Sequence, residues 1–329
     1  MSMQPRNLEQ QIRSQPDELS RILSSGRVAE QVHTAAESLQ RARRIWIVGT
    51  GTSHHAAILG AGMMQDAGRA ATPMSSMRFV DWAPVIGPDD VIVVITHTGE
   101  TAYALAARAL ATTAGLHTVT ITQRGSPFPH AVETTAAETA ETYTVSYTTS
   151  LVVLALIAQE LGAESITDDA LDLLPEAVQD AIDAPGTEGV SVPERALVIT
   201  GAGPAAITAV EGALKLREGA RILAEGYDVE YLLHGSAVPL DDSDRLLALT
   251  TPDNDGLILG VARAAAAEGI AVDLLDEPAD LPMLLAQIPL TVRLQMLALR
   301  LAAARGQDPD TVIVGAWADE ELWRVGRPD

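Results

Sequence analysis

Cysteine is missing altogether from the 329 residues. Its absence excludes disulfides, thiolate metal sites and cysteine nucleophiles together. Lysine is nearly missing too: Lys215 is the one lysine among 22 basic residues, the rest being arginine. An arginine-favouring codon bias accounts for the arginines, and a lysine kept against that bias points to a role arginine cannot fill. Positive charge is outweighed by 44 acidic residues, giving a net charge of −22. Such a chain repels polyanions at long range, so the expected partners include neither nucleic acid nor a membrane. No apolar run reaches the length of a membrane span, and the opening MSMQPRNLEQ lacks a signal-peptide core. The expected location is therefore cytoplasmic.

What is present is an alternation of strand-like and helix-like segments at 47% hydrophobic content, the pattern of an α/β protein with two domains of ordinary size. The most informative stretch is VIVVITHTGETAYALAARAL (Val91–Leu110). β-Branched residues predict a buried strand over Val91–Ile95, and alanines predict a helix over Ala102–Leu110. Between them, Thr96, Thr98 and Thr101 bring hydroxyls to a helix N-terminus, where unpaired amides and the dipole favour an anion. A phosphate site and a plain Thr98 helix cap both fit this segment.

Earlier, RIWIVGTGTSHHAAILGAGMM predicts a strand (Ile45–Val48), a glycine turn (Gly49–Ser53) and a helix (His54–Met64). It is not a dinucleotide fingerprint, because the third glycine and the acidic residue after the next strand are both absent. The leader has helical periodicity through Leu8, Ile12, Leu19, Leu23 and Val28, with Pro16 expected to start a new helix. ETYTVSYTTS leads into an apolar helix over Leu151–Leu161. A further helix (Leu171–Ile182) runs into the linker APGTEGVSVPE.

The pattern then begins again. RALVITGAGPAAITAVEGALK repeats the first strand–turn–helix unit at an offset of 151, and SDRLLALTTPDNDG repeats DDVIVVITHTGETA at an offset of 154. In the second copy Pro252, Asp253 and Asp255 stand where the first has Thr98, Gly99 and Thr101. Proline lacks an amide donor and the carboxylates repel anions, so a phosphate is expected only in the first copy. The tail after Pro309 carries Trp317 and Trp323 and is expected to dock.

GTGTS, THTGET, EGALKLRE and LLHG together resemble the sugar isomerase (SIS) domain family, above all the tandem-domain isomerase half of glucosamine-6-phosphate synthase and the related aminosugar-phosphate deaminases and ketosamine-phosphate deglycases. The resemblance implies an α/β protein of two tandem SIS domains, each a flavodoxin-like doubly wound parallel sheet flanked by helices. The implied layout is a helical leader (1–40), a first SIS domain with the phosphate site (41–165), a helix and linker (166–194), a second SIS domain (195–306) and a tail (307–329). It implies a sugar 6-phosphate on Gly51, Thr52, Ser53, Thr96, His97, Thr98 and Thr101, with Ser146 contacting the sugar. It also implies Glu218 as proton-transfer base, Lys215 beside it in the active site, His234 in ring opening, no cofactor, and a homodimer. The sequence departs from the family in four places. The synthases' glutaminase domain is absent, His97 replaces a glutamine, Ser-Thr-Lys reads Ser146-Tyr147-Thr148, and the tail has no catalytic lysine.

Spacing alone leaves room for blander roles. Glu211, Lys215 and Glu218 share a helical face, which fits either a salt-bridge stripe or a base with its partners. A histidine after an apolar run, His234, fits a core position. His54 and His55 diverge around a helix and make a poor metal pair, so no metal is expected. Tyr143 and Tyr147 fit the sugar pocket or the core. Two functions stand: a phosphosugar isomerase or aminosugar/ketosamine-phosphate deaminase acting at C1/C2, and a non-catalytic phosphosugar-binding regulator. Keeping Glu218, His234 and Lys215 together favours the enzyme.

Overall fold

The computed structural model describes residues 7–82, 84–251 and 256–324. Strands β1 (Arg44–Gly49), β2 (Ala71–Ser75), β3 (Asp90–Ile95), β4 (His117–Thr122) and β5 (Ala131–Glu133) form one sheet. Their order is β2-β1-β3-β4-β5 and every pairing is parallel. Strands β6 (Leu197–Gly201), β7 (Ala224–Asp228), β8 (Arg245–Thr250) and β9 (Ala271–Asp276) form a second parallel sheet in the order β7-β6-β8-β9. Both sheets are flanked by helices. The first has the flavodoxin-like order, whose switch point between β1 and β3 opens a crevice at the strands' carboxyl ends.

The chain packs as two compact units. One, here the N-sheet unit, comprises Gln15–Glu138, Val145–Asp172 and Ile313–Asp329; the other, the C-sheet unit, comprises Met1–Ser14, Thr139–Thr144 and Leu173–Val312. Alternation along the central strands covers both faces of the C-sheet. Leu197, Ile199, Leu247 and Leu249 enter one core cluster, while Val198, Leu246 and Ala248 enter another.

Equivalent side chains fix the internal register. Asp90 accepts from Arg43 Nη2 (3.0 Å), Trp46 Nε1 (3.1 Å) and the Gly87 amide (3.1 Å). Asp244 accepts from Arg195 Nε (2.9 Å) and from the amides of Ala196 (3.1 Å) and Asp241 (3.0 Å). Asp90 to Asp244 bears out the offset of 154. The first offset is corrected by one: Arg43 matches Arg195, Gly49 matches Gly201, and Ile45↔Val91 matches Leu197↔Arg245, all of which require 152. Reading Arg44 onto Arg195 matched two arginines by type, although the clamping arginine is Arg43.

Other expectations change as well. Pro16 does not start a helix but lies inside Asn7–Ser24, and the second helix, Gly26–Gln40, begins at a Ser25 cap whose side chain accepts from Val28 N. Ile22 rather than Leu23 is the fully buried residue there. The helix expected from Leu151 begins at Val145. Its hydroxyl-rich start reads as loop, yet Thr149 and Ser150 donate back to the carbonyls of Val145 (2.6 Å) and Ser146 (2.7 Å). Back-bonding of this kind lets Ser and Thr sit buried in a helix. Met283–Arg305 is long and apolar enough to cross a membrane, contrary to the count of apolar runs, which Arg293 and Arg300 interrupt. Its apolar window is 78% buried, Arg293 pairs with Glu277 at 2.8 Å, and Arg300 donates to Thr187 O and Val190 O at 2.6 Å. It is a core helix of the C-sheet unit. Trp317 is 73% exposed, and the side chain of Trp323 lies outside the described part. Asp310 ties the start of the tail to the first helix, accepting from the amides of Asn7 (3.0 Å) and Leu8 (2.8 Å).

Burial raises the carboxyl pKa of Asp90, but the Gly87 and Trp46 bonds and Arg43 outweigh it, and the net direction is down. Asp244 is also lowered, first by its bond to Arg195. A lowered folded value stabilises above the ordinary carboxylate pKa, and the contribution is lost as pH falls through the folded value. Asp90→Ala should therefore cost about 3 kcal/mol in urea unfolding at pH 7. The gap to wild type should close below about pH 4. A gap that persists in acid would mean that the carboxylate charge is not what stabilises this clamp.

Candidate functional site

Gly49 ends β1 where no side chain fits: a Cβ there would lie 2.4 Å from the Ser53 carbonyl oxygen. Two residues on, Gly51 takes φ 55° and ψ −129°, a conformation that favours glycine. The helix Thr52–Asp66 therefore starts hard against the end of the sheet. Across the switch point, β3 ends at Ile95 and Thr96–Thr101 leads to the helix Ala102–Thr113. Thr98 is not the cap: its hydroxyl accepts from Glu100 N (3.2 Å), while Thr101 holds the cap position without a side-chain capping bond. Thr96 is buried at 2% exposure, and its Oγ1 has no hydrogen-bond partner among the described residues.

Thr52, Ser53, Ala56, Ile95, His97, Ser146, Tyr147 and Ser150 line a small open cleft, about 220 Å³ with the solvent at its mouth and only about 10 Å³ of room for the centre of a water. Of the residues singled out for phosphate and sugar, Thr52, Ser53, His97 and Ser146 meet here. Gly51, Thr96, Thr98 and Thr101 lie beside them in the chain but do not line the cavity. Among the described residues, no lysine or arginine lines it. Burial lowers the pKa of His97 against the opposing pull of Glu138. His97 Nε2 accepts from the Glu138 amide (3.3 Å), which places the proton of the neutral ring on Nδ1. The Glu138 carboxylate in turn accepts from Ser146 N (2.8 Å) and Val145 N (3.2 Å), the first two amides of the helix Val145–Glu160. Sequence reasoning missed Glu138 and Ser150; Tyr147, left between sugar pocket and core, lines the cavity. Placing the helix start at Leu151 hid that Ser146 and Ser150 share a face and that an acidic residue precedes the true N-terminus.

The C-sheet unit holds the second constellation. Lys215 Nζ donates to Glu218 Oε2 (2.6 Å) and to the Tyr143 carbonyl (3.1 Å), and lies 3.5 Å from Glu211 Oε1. Lys215 and Glu211 are buried, whereas the Glu218 side chain keeps 22% exposure. This is not a surface salt-bridge stripe. His234 is not a core histidine either: it is exposed, on a turn where Gly235 takes φ 115°. Its Nδ1–H donates to Glu230 O (2.7 Å), so in the neutral ring Nε2 carries the lone pair. Tyr231, Leu233 and Val238 beside it are exposed.

In the C-sheet unit the equivalent turn keeps its shape, Gly203 having φ 56° and ψ −129°. At the offset of 152, Pro204 and Ala205 replace Thr52 and Ser53, so an amide donor and both hydroxyls are lost. Pro252, Asp253 and Asp255 lie outside the described residues.

Residues 38–159 match the sequence profile of the family described as "SIS domain". These residues form a SIS domain. The SIS domain thus contains the Gly49–Ser53 turn, the threonine loop, Glu138 and the whole cavity lining. Over 307 residues the chain is 31% identical to the glutamine–fructose-6-phosphate aminotransferase [isomerizing] of Pyrococcus horikoshii, an alignment covering 84% of this chain and 51% of the relative. The chain spans about half the length of the curated relatives it matches. Two solved structures share the fold. The tagatose-6-phosphate ketose/aldose isomerase of Escherichia coli superposes with TM-score 0.78 at 18% identity, over 94% of this chain and 96% of that one. The glucosamine-6-phosphate deaminase of Thermotoga maritima gives TM-score 0.76 at 18% identity, over 93% and 97%.

Outside the SIS domain, the buried ammonium makes a stability prediction. Lys215→Met should cost about 3–5 kcal/mol in urea unfolding at pH 7, because Glu211 is left buried beside no cation. Adding Glu211→Leu should recover most of that loss. A Lys215→Met cost below about 1 kcal/mol would mean that the ammonium does not hold the two carboxylates.

Proposed function

We propose that the chain is a phosphosugar isomerase or an aminosugar/ketosamine-phosphate deaminase (deglycase), acting on a hexose 6-phosphate derivative by proton transfer between C1 and C2. The observation that carries this reading is the cavity at the β1/β3 switch point of a SIS domain, lined by Thr52, Ser53, His97 and Ser146 without a formal cation. Hydroxyls and helix-end amides suit a phosphate monoester in a chain whose net charge is −22. The names of the three similar proteins share a six-carbon sugar 6-phosphate, which supports the substrate class. The C-sheet unit, with its matching register and turn, is proposed as a second SIS domain that has lost the phosphate.

Glu218 is the proposed base. A carboxylate can take a proton from one carbon and return it to the neighbour. Lys215 donates to it at 2.6 Å and fixes its rotamer. A buried lysine that donates to Glu218 and the Tyr143 carbonyl and pairs with Glu211 at 3.5 Å acts as a positioning cation. His234, its Nδ1 anchored, presents Nε2 to help ring opening or leaving-group protonation. Isomerisation and deamination share the proton transfer and diverge in what leaves C1 or C2.

The test incubates hexose and aminohexose 6-phosphates with the protein in deuterated water, followed by mass spectrometry. Wild type should exchange the C1 or C2 proton of at least one substrate. Glu218→Gln should slow exchange by about 10²-fold or more with little change in ligand affinity. Binding without any exchange would instead establish the regulatory, non-catalytic reading. Exchange at the wild-type rate in Glu218→Gln would remove Glu218 from the mechanism.

A further inference from the structure

Two helix N-termini reach the SIS cavity, and they are in opposite electrostatic states. Thr52–Asp66 contributes Thr52 and Ser53, and no acidic residue lies in its first turn. Val145–Glu160 contributes Ser146, Tyr147 and Ser150, and its first two amides are bonded to Glu138 Oε2 (3.2 Å) and Oε1 (2.8 Å). Glu138 thus sits where an outside anion would otherwise bind. We propose that Glu138 restricts the cavity to one phosphate group, admitting phosphomonoesters and rejecting diphosphates.

This rests on the reading of the cavity as a phosphate site and adds a limit to what that site accepts. A single phosphate at the Thr52/Ser53 end meets hydroxyls and an open helix end. The next phosphate of a diphosphate would approach the Val145/Ser146 end, where the amides already serve a carboxylate and its negative charge repels the newcomer. No lysine or arginine lines the cavity to offset that repulsion. His97 cannot supply the charge without loss, because its Nε2 accepts from Glu138's own amide at 3.3 Å and protonation would set two N–H groups against each other. Glu138 is therefore a specificity-determining residue, set by a side chain eight positions before Ser146 that no local motif marks.

The experiment titrates inorganic phosphate and inorganic pyrophosphate into wild type, Glu138→Gln, Glu138→Ala and Ser53→Ala at one pH and ionic strength, by calorimetry. Thermal melts followed by circular dichroism identify any variant that fails to fold. Glu138→Gln keeps a carbonyl acceptor for Ser146 N and so preserves the helix start if Glu138→Ala does not. Wild type should favour phosphate over pyrophosphate by about tenfold or more, and Glu138→Gln should reduce that preference about tenfold, the scale of a removed like-charge clash. A preference for pyrophosphate in wild type, or an unchanged ratio in folded Glu138→Gln, overturns the proposal while leaving the cavity as a phosphate site. Phosphate affinity that survives Ser53→Ala undiminished overturns the cavity reading itself, and this proposal with it.

Discussion

The close approach of a helix start to the end of a central strand is the contact on which both units depend. Gly49 meets Ser53 and Gly201 meets Ala205 so closely that a Cβ at either glycine would lie within about 2.5 Å of backbone. Gly51 and Gly203 then turn the chain through the same positive φ. That geometry brings helix amides to the carboxyl edge of a parallel sheet, beside the switch point. On the opposite side of the sheet, Asp90 and Asp244 tie the start of one strand to the arginine that precedes its neighbour. A shared scaffold with different side chains at its turn is what makes one unit a candidate anion site and the other a frame.

Charge then decides the chemistry. A chain of net charge −22 can hold a phosphate only where local donors outweigh the field of the whole. The proposed phosphate cavity offers hydroxyls and helix-end amides for this, and its acidic neighbour, Glu138, accepts from the amides of Val145 and Ser146. The single lysine is placed elsewhere, buried between Glu211 and Glu218. Arginine's wider planar group does not present three donors from one nitrogen, which gives a physical reason for lysine at that position.

Much of this was legible in the residues. β-Branched runs marked the central strands, and the strand expected over Val91–Ile95 is observed as Asp90–Ile95, because buried parallel strands leave continuous apolar signals. The spacing of Glu211, Lys215 and Glu218 placed them on one face, although only packing shows that the face is buried. What sequence reading lost came from competing local rules. Hydroxyl residues before Leu151 looked like loop because their back-bonds are invisible in sequence. Pro16 looked like a helix start and sits in a helix interior. Matching Arg44 to Arg195 by type shifted the repeat by one, which hid Pro204 and Ala205 as the counterparts of Thr52 and Ser53. Glu138 was hidden by the misplaced helix start, since its partners Val145 and Ser146 lie seven and eight residues on, across a loop.

The central claim is that a sugar phosphate is held in the SIS cavity of the N-sheet unit and nowhere equivalent in the C-sheet unit. The most direct measurement is a crystal structure of the protein with a hexose 6-phosphate bound. The account predicts the phosphorus within hydrogen-bonding reach of Ser53 and next to Ser146 and His97. Phosphate density at the Gly203–Ala205 turn instead, with the Thr52–Ser53 cavity vacant, would contradict it.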